Sequence, residues 1–137
     1  MDGKKILIIE DEKSISDIIK FNLDKEGFHT ATAYDGTTGL EKAQSLAPDL
    51  ILLDVMLPGI DGLSILRNIR LEDERLPILI LSAKSEPEYR VKGLAYGVDD
   101  YLSKPFNLDE FLLRVERLLT RAAWAGEGDL VRGGIAA

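Results

Sequence analysis

Ile6-Leu7-Ile8-Ile9 runs into Glu10-Asp11, and Leu50-Ile51-Leu52-Leu53 runs into Asp54. Ile78-Leu79-Ile80-Leu81 runs into Ser82, and Tyr101-Leu102 leads through Ser103 to Lys104-Pro105. Short Ile/Leu runs bounded by turn residues read as strands buried on both faces of a parallel sheet. In an open α/β sheet, ligands bind outside the carboxyl ends of the strands. The pattern therefore predicts that Glu10, Asp11, Asp54, Ser82 and Lys104 gather at one edge of one sheet, as a divalent-cation and phosphoryl site.

The segments between these runs carry helical periods. Ile15, Ile18, Ile19 and Leu23 form an apolar stripe over 14–27, and Gly27 is placed to stop that helix. The stretch from His29 to Tyr34 alternates and predicts a short second strand at an edge. Asp35-Gly36 opens a helix bearing Leu40, Ala43 and Leu46, ended by Pro48. Asp61 is placed to cap a helix bearing Leu63, Leu66 and Ile69. A fourth helix is expected over 86–96, and Gly97 ends it. Asn107 with Glu110 resembles a capping box before a fifth helix that buries Phe111, Val115 and Leu118. Strict alternation predicts an α/β fold, a (βα)5 doubly wound parallel sheet. Of the two common strand orders, 2-1-3-4-5 sets strands one and three side by side, which places Glu10, Asp11 and Asp54 in the crevice at the switch point.

The chain has 137 residues, which suggests one domain over 1–122 with a core of useful size. Residues 123–137 lose the apolar period and include Gly126, Gly128, Gly133 and Gly134, as in a flexible linker or tail before an output domain. With no cysteine, disulfides and thiolate chemistry are excluded. No apolar run approaches the ~18 residues of a membrane span, and Met1-Asp2-Gly3-Lys4-Lys5 lacks a signal-peptide core, so a cytoplasmic location without membrane contact is expected. A net charge of −7 argues against nonspecific nucleic-acid binding by this chain.

Three converging carboxylates repel one another unless a cation joins them. A hard divalent ion with oxygen ligands resolves this, and Mg²⁺ (or Mn²⁺) is the expected cofactor. Three carboxylates, one divalent ion and Lys104 sum to zero charge, so such a site accepts a dianionic phosphoryl group. Phosphoryl transfer needs little beyond in-line positioning and neutralised oxygen charge, and a carboxylate can itself be the nucleophile.

Several pieces together resemble the receiver domain of two-component response regulators. They are Ile8-Ile9-Glu10-Asp11-Glu12, the run Leu53-Asp54-Val55-Met56-Leu57-Pro58-Gly59-Ile60-Asp61-Gly62, Ser82-Ala83, and Gly97-Val98-Asp99-Asp100-Tyr101-Leu102-Ser103-Lys104-Pro105-Phe106. Gly-Val-Asp-Asp-Tyr is closest to the OmpR/PhoB-like transcriptional regulators. The resemblance implies that Asp54 is the phosphoacceptor. It implies a metal site of Glu10, Asp11, Asp54 and the backbone carbonyl of Met56. Lys104 would pair with phosphoryl oxygen, and Ser82 would hydrogen-bond it. Tyr101 would be the switch aromatic that turns inward as Ser82 moves. The Lys104–Pro105 bond is typically cis in that family, and Met56 and Lys84 stand where phosphoryl lifetime is tuned. The chain departs from the common pattern in having Glu10 for Asp and Ser82 for Thr.

The resemblance further implies a sensor histidine kinase as phosphodonor, recognised around Ile15 to Asn22 and in the loop after the fifth strand. It implies a phosphorylation-dependent homodimer through the fourth helix, fifth strand and fifth helix, with Lys92, Asp99, Asp100, Arg114, Arg117 and Arg121 on that face. DNA would be reached only through a further C-terminal domain, and Gly128-Asp129-Leu130-Val131 resembles the start of one. Such a domain is a switch and not an enzyme, apart from taking phosphoryl from a donor and losing it again. A stand-alone receiver that docks on a protein partner is the alternative. A phosphatase with an Asp nucleophile would want a second Asp where Met56 stands. A nucleotide-binding module would want a Gly-rich loop where Glu10-Asp11-Glu12 stands. As for the rest, His29 reads as a structural or exposed residue and Trp124 as a tail or packing residue.

Overall fold

The computed structural model describes residues 3–58, 60–83 and 97–136, with side chains as far as 124. Five strands form one parallel sheet in the order β2-β1-β3-β4-β5. They are β1 (Lys5–Ile9), β2 (His29–Ala33), β3 (Leu50–Leu53), β4 (Ile78–Ser82) and β5 (Asp100–Ser103). The helices are α1 (Lys13–Lys25), α2 (Gly36–Leu46), α3 (Gly62–Glu72) and a C-terminal helix, Leu108–Ala136. The predicted strand order is thus the observed one, and the predicted helix over 86–96 lies outside the described residues, as do Lys84 and Lys92.

Strand alternation divides the core. Ile6, Ile8, Leu50, Leu52, Leu79 and Leu81 point to one face and pack with Ile19, Leu23, Phe111 and Val115 of α1 and the C-terminal helix. Leu7, Ile9, Ile51, Leu53, Ile78 and Ile80 point to the other and pack with Leu63, Ile65, Leu66 and Ile69 of α3. Burial of both faces explains why these strands are apolar runs rather than alternating ones.

The helix ends follow from local chemistry. Asp35 Oδ1 accepts the Thr38 N–H at 2.7 Å and opens α2. Asp61 Oδ1 accepts the Leu63 N–H at 3.3 Å and opens α3. Asn107 Oδ1 accepts the Glu110 N–H at 3.1 Å, while the Glu110 carboxylate takes Arg114 instead of closing a capping box. The C-terminal helix runs on to Ala136, where the sequence suggested a linker from 123. Ala122, Ala123 and Ala125 favour helix, and no proline follows Pro105 to break it.

Candidate functional site

The site lies at the carboxyl ends of β1, β3, β4 and β5, where the sheet's hydrogen bonds hold each backbone. The Glu10 N–H donates to the Ala33 carbonyl at 3.0 Å, and the Asp54 N–H to the Ile9 carbonyl at 3.0 Å. The Lys104 N–H donates to the Ser82 carbonyl at 2.8 Å, next to a cis Lys104–Pro105 bond. Glu10, Asp54 and Ser82 are buried at 2%, 4% and 0% exposure, which is uncommon for polar groups without a task.

Lys104 Nζ donates to Glu10 Oε1 and, at 3.1 Å, to Asp54 Oδ2. The other Asp54 oxygen, Oδ1, accepts the Met56 N–H at 2.8 Å, so the carboxylate is held from both sides. Glu10, Asp11 and Asp54 each bring a carboxylate oxygen within 4.8 Å of the others. The all-oxygen donor set suits a hard divalent ion, and these three residues could hold one. The less buried Asp11 gives that ion a route from solvent.

Two buried carboxylates facing one ammonium leave an excess of negative charge. Burial, and then the hydrogen bond with Asp54, push the Glu10 carboxyl up from 4.5 to about 7, against the opposing pull of Lys104. Burial alone would lower Lys104, but the hydrogen bond to Glu10 and the Asp54 charge outweigh it and raise the ammonium. Without a metal, one proton on Glu10 does part of what a cation would do.

The structure thus brings Glu10, Asp11, Asp54 and Lys104 together and seats Ser82 one strand away, its neighbour in register being Ser103 of β5. Tyr101 lies beside Ile80 in register, partly buried against the α3 side of the core, with its hydroxyl oxygen buried. Met56 presents its side chain to solvent at 49% exposure, while its backbone serves Asp54. His29 is exposed at the start of the edge strand and Trp124 is 69% exposed, so both stand apart from the site.

Of the charged face named from sequence, the fourth helix and Lys92 lie outside the described residues. Arg114 Nη1 grips both oxygens of Asp100 at 2.7 Å, and Arg117 and Arg121 are exposed on the same helix. The hydrogen bond to Asp100, and then that to Glu110, raise the Arg114 guanidinium further. Asp99 has a different partner. Its Oδ2 is taken at 2.7 Å by Arg70 of α3, on the other side of the sheet. Asp99, just before β5, thus meets α3, while Asp100, the first residue of β5, meets the C-terminal helix.

Two features went unread in the sequence. Arg70 looked like any polar residue of an amphipathic helix, and its partners lie about 27 residues further on, at Gly97 and Asp99. An apolar groove beside Lys104, between α1 and the loop after β5, has a volume of 510 Å³. Its only sequence signal was that Ile18 extends the α1 stripe beyond what one buried face needs; the residue is 59% exposed.

Comparison with known proteins agrees with this geometry. The family model of the response regulator receiver domain matches residues 6–116. The chain is 49% identical over 117 residues to the response regulator ArlR of Staphylococcus saprophyticus, covering 85% of this chain and 53% of that protein. It is 44% identical over 120 residues to the alkaline phosphatase synthesis transcriptional regulatory protein PhoP of Bacillus subtilis, covering 88% and 50%. The chain therefore spans about half the length of the curated relatives it matches. Among solved structures, the Francisella response regulator 1452 receiver domain superposes with a TM-score of 0.81 at 38% identity, covering 87% of this chain and 98% of that one. The CheY-like receiver domain protein of Methanospirillum hungatei superposes at 0.88 and 27% identity, covering 90% and 99%. The resemblance to OmpR/PhoB-like receivers is borne out. The chain belongs to the response regulator receiver domain family of two-component systems.

Proposed function

We propose that this receiver is a cytoplasmic phosphorylation switch in which Asp54 accepts a phosphoryl group from a sensor histidine kinase with Mg²⁺ (or Mn²⁺) present. The observation that carries the proposal is the pairing of buried Asp54 Oδ2 with Lys104 Nζ at 3.1 Å, inside a cluster of three carboxylates. Glu10, Asp11, Asp54 and the Met56 carbonyl would hold the metal. When bound, the ion supplies positive charge that neutralises the carboxylates and the equatorial phosphoryl oxygens. The Met56 N–H and Lys104 fix the Asp54 carboxylate for in-line attack. Lys104 then pairs with a phosphoryl oxygen in place of a carboxylate oxygen.

Readout runs through Ser82 and Tyr101. Ser82 turns its hydroxyl toward the phosphoryl group, and Tyr101 fills the space this opens. That biases a two-state equilibrium at the face around β5 and the C-terminal helix. Arg114, Arg117 and Arg121 with Asp100 then support a homodimer, and a DNA-binding domain further along the full-length protein carries the output. Phosphoryl loss resets the switch.

The test is intact mass after incubation with Mg²⁺ and acetyl phosphate, beside an Asp54→Asn control. One added phosphoryl group that needs the metal and is missing from the control supports the proposal. An unmodified wild-type chain would reject it.

A further inference from the structure

A cleft between α2 and α3 lies at the amino ends of β3 and β4, opposite the end that carries Asp54. Its floor is apolar. Leu40 and Ala43 of α2 face Ile69 of α3 and Leu76 of the turn before β4. All four belong to the core on the α3 side of the sheet, and all but Ile69 are only partly buried. The volume is 130 Å³, close to the ~150 Å³ of an apolar cavity that admits benzene. A water molecule needs polar partners that this floor does not offer.

The lip of the cleft is polar and negative. Gln44 Nε2 donates to Glu72 Oε1 at 3.1 Å, which holds the Glu72 carboxylate across the mouth between α3 and α2. Asp73 Oδ1 accepts the Arg75 and Leu76 N–H groups at 2.9 Å and 3.1 Å, so this carboxylate is fixed as well. Among the described residues neither carboxylate has an ion pair; Arg70 reaches the Asp73 carbonyl instead. Two held carboxylates beside an apolar floor complement a cationic head on a compact apolar body. The net charge of −7 attracts such a ligand and repels an anionic one.

We propose that the α2–α3 cleft binds a small organic cation, an aliphatic amine whose branched or cyclic body is no larger than benzene. The ammonium sits at the lip beside Glu72 and Asp73, and the carbons cover Leu40, Ala43 and Leu76. The site shares the turn from Asp73 to Leu76 with Arg70, which holds the carbonyls of both residues together with Gly97 and Asp99. An occupant therefore bears on the segment that leads into β5.

The test titrates isopentylammonium, ethylammonium, isopentanol and 4-methylpentanoate into the full chain and follows backbone amide shifts by NMR. Isopentylammonium is expected to shift Leu40, Ala43, Asn68 and Leu76, and through Arg70 also Gly97. Each methylene removed from water is worth about fourfold, so three more carbons at incomplete burial give it roughly a tenfold lower Kd than ethylammonium. Its charge near a surface carboxylate adds about fivefold over isopentanol, and 4-methylpentanoate binds weakest. Glu72→Gln, at an exposed position and still able to accept from Gln44, narrows the gap between amine and alcohol. Ala43→Leu fills the floor and removes binding of all four compounds; should it fail to fold, Glu72→Gln still decides. Cleft amides that stay in place with every compound, or equal affinity for amine, alcohol and carboxylate, would overturn the proposal.

Discussion

Arg70 Nη2 donates to Asp99 Oδ2 at 2.7 Å, and the same oxygen accepts the Ile78 N–H at 2.8 Å. The rest of the guanidinium donates to the carbonyls of Gly97, Asp73 and Leu76. One side chain thus joins the end of α3, the start of β4 and the turn into β5. Gly97 makes room for it: φ is +86°, and a Cβ there would stand 3.2 Å from Arg70 Nε. The strand that carries Tyr101 and leads into Lys104 is therefore anchored at its far end by α3.

Arg70→Ala strips partners from three carbonyls and a carboxylate in a side-chain environment only 12% exposed. The expected loss is about 3 kcal/mol in urea unfolding. Arg70→Lys recovers only a small part, because an ammonium cannot reach four acceptors in a fork. A loss of under about 0.5 kcal/mol would mean the clamp is a surface ornament.

The Glu10 carboxyl sets a pH dependence for the metal-free protein. Its folded pKa is about 7 against 4.5 in an exposed chain, so the fold binds a proton the unfolded chain has released. Its contribution to stability is fully present below 4.5 and is lost as pH rises through about 7. The span corresponds to about 3 kcal/mol. Tm measured with EDTA should fall between pH 5 and 7.5, and Glu10→Gln should flatten that slope. Adding Mg²⁺ at pH 7.5 should restore Tm in the wild type, since a cation then does the work of the proton.

Gly62 opens α3 against the loop that carries Asp54. A Cβ at this position would meet Val55 Cα at 2.3 Å and the Asp54 carbonyl at 2.7 Å, both of them backbone that cannot swing aside. Gly62→Ala should therefore shift the Asp54–Met56 segment. The expected result is a loss of at least about 2 kcal/mol in stability, with slower Asp54 phosphorylation. Gly62→Ala with wild-type Tm and rate would show that the loop relaxes freely.

Much of the fold was legible because its central strands are continuous apolar runs and Asp35, Asp61 and Asn107 cap three of its helices. The order of the sheet followed from chemistry: only β1 beside β3 brings Glu10 and Asp54 into one crevice. What escaped was contact between residues distant in sequence with no motif to announce it. Arg70 and Asp99 meet because α3 and the turn before β5 lie side by side, which no local period encodes. Asp99 and Asp100 looked equivalent in sequence, yet one meets Arg70 of α3 and the other Arg114 of the C-terminal helix. The helix beyond residue 122 escaped for another reason. Four glycines outweighed Ala122, Ala123 and Ala125 in the sequence argument.

The same split between Asp99 and Asp100 narrows the charges available for pairing two receivers. Asp100 has both oxygens on Arg114, and Arg114 also holds Glu110 Oε1 at 2.8 Å. That triad is satisfied within one chain. Among the described residues of that face, Arg117 and Arg121 are exposed and one helical turn apart, placed to meet a partner's acids. Charge reversal there, Arg117→Glu with Arg121→Glu, should leave Tm within about 0.5 kcal/mol equivalent, as for other surface changes. It should abolish the dimer proposed for the phosphorylated wild type, as read by analytical ultracentrifugation. Arg114→Ala should instead lower Tm and free Asp100. A phosphorylated double-reversal variant that still dimerises at wild-type affinity would place the interface on another face.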